Sequence, residues 1–577
     1  MQPRPADGRT EKSVGAGRSY EGVSGMSETQ VRTGPFSSRF SRRQALKGAG
    51  VVGLAAAAAP VFGARAMAMG VPLTQDATPK AGGTLTVGLQ ADPTALDAQK
   101  QSLTAIWHVV EHIYEGTVGI GADLAPYPLL AESWEVSEDG LTVTFKIREG
   151  VLFHDGSTLT AEDVAFTYTR LLDPATASTN ASDLLGVAGA VEFNSGASTE
   201  IPGLVVVDSQ TVELTLTAPD ASLLVVLAES SLGIVSKAFT EANDNDLSQV
   251  ANGTGPFSFV EYIPNTSITL EKHTEYWQEG LPYLDGMEML IVPTDVARTA
   301  SLVQGQTDFI EYAPLADVPT FQGDPESFTV TGDSNTNIRY MSFNFDIEPL
   351  GNPLVRQAIG MAIDRGPIVD SAVFGFGTAV GTIFPPDFWA AAPIEPAPAD
   401  IEGAKALLAE AGYPDGFDTM ITSWAQYSFL SNAAVVIQEQ LKQIGVNAEL
   451  NLVENATMIA DVHTPASKNY ELGVTGTSGY IDPHPVLQPS FMTNGSSNAM
   501  GYSNPDVDAL IDAGMIETDL EARADIYRQI QDILVVDNPW IFLFVANQFE
   551  AMKPDVMGYV HMATGSNRFL KETWLDR

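Results

Sequence analysis

Residues 131–156 read AESWEVSEDGLTVTFKIREGVLFHDG, and the pattern inside them decides the fold. Leu141, Val143, Phe145 and Ile147 alternate with Thr142, Thr144 and Lys146. Period-two alternation gives each set of side chains its own face, as a half-buried strand requires. Glu138-Asp139-Gly140 is a turn signal that joins this strand to Trp134–Val136, so the pair is predicted to be a hairpin. Phe153-His154-Asp155-Gly156 marks a second turn. Thr160 then opens a helix as N-cap, with Asp163 three residues on as a weaker form of the capping box.

Five segments here stand together: LAESW at 130–134, FKIR at 145–148, GV at 150–151, FHDG at 153–156 and AEDV at 161–164. This set resembles the signature of family 5 extracellular solute-binding proteins, the periplasmic peptide- and nickel-binding components of ABC importers. Later segments are similar to the same family: GTGPF at 253–257, YW at 276–277 with PYLDG at 282–286, SLVQGQTD at 301–308, and a second block from RYMSFN at 339–344 through NPLVRQA at 352–358 to AIDR at 362–365. The resemblance covers about residues 80–577. It implies an α/β, two-lobed, periplasmic-binding-protein-like (type II) fold with an accessory subdomain on the first lobe. Expected boundaries are lobe I at 81–336, its accessory subdomain at about 118–200, lobe II at 337–545, and a C-terminal return to lobe I at 546–577. The two crossings are expected near 335–338 and 544–548.

The N-terminus reads as a separate device. Ser41-Arg-Arg-Gln-Ala-Leu-Lys47 resembles a twin-arginine export motif. A charge-free Gly/Ala/Val run follows from Gly48 to Ala64, with Ala-x-Ala sites at Ala64/Ala66 and Ala66/Ala68. That run is shorter and less apolar than a spanning helix of about twenty residues. Residues 1–68 are therefore expected to be a removable signal peptide and leader, and 69–80 a linker. Cleavage near Ala66–Ala68 would release a soluble periplasmic or extracellular protein; retention as an anchor is the alternative, and Met26 is an alternative start. The chain has no cysteine, which excludes a disulfide framework and a lipid-anchored cysteine.

The 577 residues carry 72 acidic and 30 basic side chains, a net charge of −42. Loss of residues 1–68 takes that to about −48. Such a surface repels phosphate backbones, so nucleic-acid binding is not expected. Strands and helices alternate along the chain, which argues for α/β layers. Leu354, Val355, Ala358, Ile359 and Ala362 form a helical core stripe, and Arg356 and Arg365 are expected in structural ion pairs. Gly186–Thr199 is Gly/Ala/Ser-rich and reads as a loop.

One catalytic pattern competes. His108-Val-Val-Glu111-His112 fits H-x-x-E-H, with two histidines on one helix face able to hold zinc and a glutamate as base. A secreted zinc-dependent hydrolase is the alternative function; a ligand-presenting sensor subunit is another. The pattern is short and has no evident third ligand. The preferred reading is no enzyme, no metal and no cofactor.

Clefts between lobes bury small ligands with aromatic walls and a few polar anchors. Trp424, Tyr427 and Tyr480 are the wall candidates, with Trp389 beside them. Asp482 is a candidate cation anchor, His484 a weaker contact, and Thr94 and Leu96 are contacts from the first lobe. By resemblance, dipeptide-binding relatives hold the peptide amine with an aspartate where this chain has Gly479, and the carboxylate with an arginine where it has Trp424. A buried charge without a partner is costly, so a zwitterionic dipeptide is expected to bind badly. A longer peptide held through its backbone, or a non-peptide solute, fits better. The expected partners are a small solute and ABC permease subunits, with the protein itself a monomer.

Overall fold

A computed structural model describes residues 78–100, 104–477 and 479–577, with Asn455 described by its backbone alone. The twin-arginine segment and both Ala-x-Ala sites lie outside the described residues.

One mixed sheet of eleven strands organises the molecule. Thr84–Leu89 runs parallel to Gly286–Ile291 on one side and to Phe309–Ile310 on the other. Ser267–Lys272 and Phe257–Ile263 extend that half as an antiparallel hairpin. In the other half, Phe417–Trp424 lies parallel to both Val446–Val453 and Leu472–Gly476. Buried parallel strands need apolar side chains on both faces. Leu85, Val87 and Leu89 line one buried face in the first half, with Gly88 buried on the other, and Leu472 and Val474 line one in the second, with Gly473 and Thr475 buried on the other.

The halves are joined by two long antiparallel strands, Thr329–Phe343 and Trp540–Met552. Thr329–Ser334 pairs with Met552–Asn547 in the first half; Ile338–Ser342 pairs with Val545–Trp540 in the second. Between Ser334 and Ile338 the ladder slips. At that slip the Thr336 N–H turns away and donates to Ala563 O at 3.1 Å.

Helices cover the sheet. Pro353–Ala362 starts with Asn352 accepting from the Leu354 N–H, and Ser428–Lys442 is followed by Gly445 at φ 82°. The left-handed conformation at Gly445 ends the helix at no steric cost. The stripe Val355, Ala358, Ile359 and Ala362 packs with Ile437, Leu441, Ile421 and Leu472. Arg356 and Arg365 depart from expectation. Arg356 donates to the carbonyls of Leu350, Gly351 and Asp537 and lies 4.0 Å over the Phe345 ring; Arg365 Nε donates to Phe542 O at 2.7 Å. Neither is in an ion pair with a described residue, because helix-end and strand carbonyls satisfy them instead.

The opening stretch forms the hairpin Ala131–Val136 and Thr142–Ile147, with Trp134 opposite Phe145 and Val136 opposite Val143. Val143, Phe145 and Ile147 are buried and the residues between them half-buried. Asp163 accepts from the Thr160 N–H at 3.0 Å, as the capping reading requires, and also from the Lys237 N–H at 3.0 Å. Thr211–Thr215 and Leu204–Asp208 complete a four-stranded sheet, on which Ala161–Leu172 packs through Val164, Tyr168 and Leu171. This core runs on to Ile234 and takes in Met562. Ala190–Asn194 within the expected loop is a short helix.

The C-terminal segment closes the first half. Val556, Leu570 and Leu575 join Leu85, Ile113 and Met287 in one core. No helix among the described residues is long and apolar enough to cross a membrane.

Candidate functional site

Strand Phe417–Trp424 ends at the waist between the two halves, and the helix Ser428–Lys442 begins three residues later. That tight connection places Trp424, Tyr427 and Phe429 side by side. The Trp424 and Tyr427 rings meet edge to face at 5.4 Å, and Tyr427 lies 5.8 Å from Phe429. Trp424 is fixed by its Nε1–H, which donates to Thr475 Oγ1 at 3.1 Å. His463 Nε2 shares that hydroxyl at 3.0 Å, and burial drops the histidine pKa to about 4. Tyr427 is 39% exposed, a high value for an aromatic ring set among others.

Arg339 reaches the same place from the first long strand. Its guanidinium lies 5.0 Å from the Phe429 ring centre, and Nη1 donates to Thr477 O at 3.3 Å. Gly476, its register partner, makes the room: a Cβ there would sit 2.5 Å from Nη1. Burial pulls the Arg339 pKa down to about 10, while Tyr312 and Tyr427 lie within electrostatic reach. Tyr312 belongs to the first half. Its backbone holds φ 45°, and its ring stacks 5.7 Å from His108. A positive φ is uncommon outside glycine and draws attention to this position.

The H-x-x-E-H side chains are spent on three separate tasks. His108 Nδ1 meets Glu311 Oε2 at 2.5 Å. Burial opposes the histidine charge, but Glu311 overrides it and the pKa rises to about 9. Glu311 also accepts from the Gln90 N–H at 2.7 Å and from Asn567 Nδ2 at 3.2 Å. Glu111 accepts from Ser566 Oγ and the Asn567 N–H, both at 2.6 Å, and so clamps the C-terminal segment. His112 is fully buried against Phe257, and burial lowers its pKa to about 4. Among the described residues no group of three His, Asp or Glu is placed to hold a metal.

The remaining candidates sit elsewhere. Tyr480 is 6% exposed; its hydroxyl donates to Ile383 O at 2.8 Å and its ring packs on Phe384 and Phe388. It is core, because the chain after Leu472–Gly476 turns inward. Asp482 gives both oxygens to Arg523, at 2.5 and 2.9 Å, and caps the His484 N–H at 2.9 Å. Its charge is already matched. Trp389 donates to Ile481 O at 3.4 Å and packs near Tyr527. His484 heads the helix His484–Phe491 with Nδ1 enclosed and unpartnered among the described residues. Thr94 is an exposed turn residue whose N–H donates to Asp92, and Leu96 is fully buried core. Arg339 and Phe429 were missed. A lone cation inside the apolar strand segment Ile338–Phe343 was the available signal.

The two halves touch beyond this cluster. The Ala221 N–H donates to Met515 O at 2.9 Å, and Gly479 lies against the C-terminal segment. A Cβ at 479 would be 3.0 Å from both Asn337 Oδ1 and Thr564 O. Any side chain at 479 would therefore be crowded by Asn337 and Thr564.

Comparison with known proteins agrees with this architecture. Residues 125–498 match the family model described as bacterial extracellular solute-binding proteins, family 5 middle. The chain is similar to heme-binding protein A of Haemophilus influenzae, 33% identical over 77% of this chain and 83% of that protein. It is also similar to the glutathione-binding protein GsiB of Salmonella typhimurium, 30% identical over 82% and 91%. Among solved structures it resembles the periplasmic binding protein AgaA of A. tumefaciens R10 in complex with agropinic acid. That match has a TM-score of 0.74 and 29% identity, and covers 86% of this chain and 99% of the other. With its two halves read as the two lobes of a type II binding fold, the chain belongs to the bacterial family 5 extracellular solute-binding proteins.

Proposed function

We propose that this protein captures a short peptide or a solute of similar size between its lobes and delivers it to the permease of an ABC importer. The observation that carries this is the waist cluster: Trp424, Tyr427 and Phe429 with Arg339 on one side, and Tyr312 across from them. The wall is aromatic and partly open, yet bound to a rigid strand end. Ligand that touches both lobes favours the closed arrangement, so capture is a population shift and involves no covalent chemistry.

In this reading lobe I is 81–336, lobe II 337–545, and 546–577 the return to lobe I. The slip in the long strands at 334–338 supports a hinge there. Residues 1–68 direct export by the twin-arginine route, and the mature protein acts as a soluble monomer outside the cytoplasm. A relative that binds glutathione, itself a tripeptide, supports a peptide-sized ligand. The crowding at Gly479 and the tryptophan at 424 argue against a dipeptide held by both termini.

Mass spectrometry of ligand co-purified with the exported protein tests the proposal. A small solute at near-stoichiometric amount, raising the melting temperature on re-addition without turnover, is the expected result. Hydrolysis of that solute by the protein would overturn it. N-terminal sequencing of the exported form, beside a variant with Arg42 and Arg43 both changed to Lys, tests the export route: processing should be lost in the variant.

A further inference from the structure

Most enclosed arginines among the described residues are held by a carboxylate or by several carbonyls. Arg170 is held by both oxygens of Asp97, Arg523 by both oxygens of Asp482, and Arg298 by Asp295 with the carbonyl of Tyr312. Arg356 donates to three carbonyls. Arg339 makes one long bond of 3.3 Å, to Thr477 O; its Nε is enclosed without a partner among the described residues, as are those of Arg170, Arg298 and Arg356, but those three have two or more bonds from their Nη atoms and Arg339 has one. No described carboxylate lies in ion-pair reach of it, in a chain with 72 acidic side chains. A guanidinium has five N–H donors, and enclosing them unpaired is costly.

The acids nearest the waist are already committed. Glu311 is held by His108, Gln90 and Asn567. Glu550 accepts from Gln548 Nε2 at 3.0 Å and lies 2.8 Å from His561 Nδ1. Glu111 serves Ser566 and Asn567. No acid among these described residues is thus free to pair with Arg339. Phe429 covers one flat face of the guanidinium, and Trp424 and Tyr427 continue the wall.

Resting on the solute-capture reading, we infer that Arg339 is the anchor for a carboxylate of the ligand, whose apolar body lies along Phe429, Tyr427 and Trp424. A planar fork matches a carboxylate in two parallel hydrogen bonds. A single guanidinium suits a monoanion better than a phosphate. The cation that is absent at position 424 is thus supplied from a different strand, and the ligand class is a small carboxylic acid with an apolar or planar portion.

The test uses matched probes, glutathione and N-acetylated tripeptides, each beside its ester or C-terminal amide. Calorimetry gives affinity, and thermal melting of the ligand-free protein reports the fold. The free acids should bind at least about thirtyfold more tightly than their neutral partners. Arg339→Met should abolish that preference while leaving the ligand-free melting temperature unchanged or higher, since it removes an unpaired buried cation. A purely structural arginine would instead lower the melting temperature and leave the preference intact, which would overturn the inference. If Arg339→Met does not fold, Arg339→Lys decides: it keeps the charge but loses the fork, and wild-type preference in it would also overturn the inference. Equal binding of acids and neutral partners by the native protein would do the same while leaving solute capture standing. Failure of every probe, with nothing co-purified, would count against solute capture itself and this anchor with it.

Discussion

Tyr427 is partly exposed and His108 is buried, and each predicts a separate measurement. Tyr427 is 39% exposed, so Tyr427→Ala should change stability by no more than about 1 kcal/mol. In the proposed site its ring stacks on the ligand, so affinity should fall by about three- to tenfold. Calorimetry with the co-purified ligand, beside a thermal melt, separates the two effects. His108 and Glu311 predict a pH window. The folded pKa of His108 stands at about 9 against an ordinary 6.5, so its contribution is complete below 6.5 and lost as pH rises through 9. Glu311 is shifted down from 4.5, so its contribution holds above 4.5 and is lost as pH falls below it. The melting temperature should therefore drop on the alkaline side between about pH 6.5 and 9, and His108→Gln should flatten that drop. Residue roles were legible only in part. Trp424 and Tyr427 could be placed because they follow a readable strand. Asp482 could not, because Arg523 lies 41 positions away and only tertiary structure brings it near. Arg339 was missed for the converse reason: lacking a partner is a property of its surroundings and has no local pattern.

Elements were more legible where one face is apolar. The alternation of Val143, Phe145 and Ile147 pointed to the hairpin and its buried face; the register came from the structure. Phe145 is fully buried in the subdomain core, so Phe145→Ala should cost about 3–5 kcal/mol. Because that core is built apart from Arg339 and Trp424, ligand affinity at a temperature where the variant is folded should stay unchanged. Denaturant unfolding and calorimetry on one preparation check both parts. The long strands were half legible. The apolar runs at 340–343 and 540–545 read as strands, and there Met341, Phe343 and Leu543 are buried. Local pattern does not extend the first back to Thr329, because TVTGDSNTN is polar and holds a glycine. That stretch is a strand because Trp540–Met552 pairs with it, a long-range fact that outweighs local preference. The helix at Ala190–Asn194 was lost among small residues for the same reason.

At the scale of the molecule, two lobes share one sheet, and ligand is expected between them. Anything that binds the folded closed form and not the unfolded chain adds stability by mass action. Ligand at a hundred times its Kd should add about 2.7 kcal/mol, seen as a rise of several degrees in a melt whose midpoint depends on ligand concentration. Ligand should also compact the protein in small-angle scattering; a melt or profile unmoved by saturating ligand would contradict closure. The net charge of −42 was plain in the sequence, yet it gave no sign that Arg339 would be enclosed with a single carbonyl partner.

The closing segment has a consequence for synthesis. Val556, Leu570 and Leu575 fill the same core as Leu85, and the Asp285 N–H donates to Gly83 O beside the Gly83–Leu575 contact. Trp540–Met552 likewise supplies the neighbour that Phe309–Ile310 needs. As the chain leaves the ribosome, the lobe begun first is therefore the lobe finished last, and it waits with an open core and an unpaired strand edge through the whole of the other lobe's translation. The second lobe, whose strands lie closer together in sequence, has no such wait beyond Trp540. The order of birth and the order of completion are inverted, and a chain of this topology completes its first lobe only after Trp540–Met552 and residues 556–575 emerge.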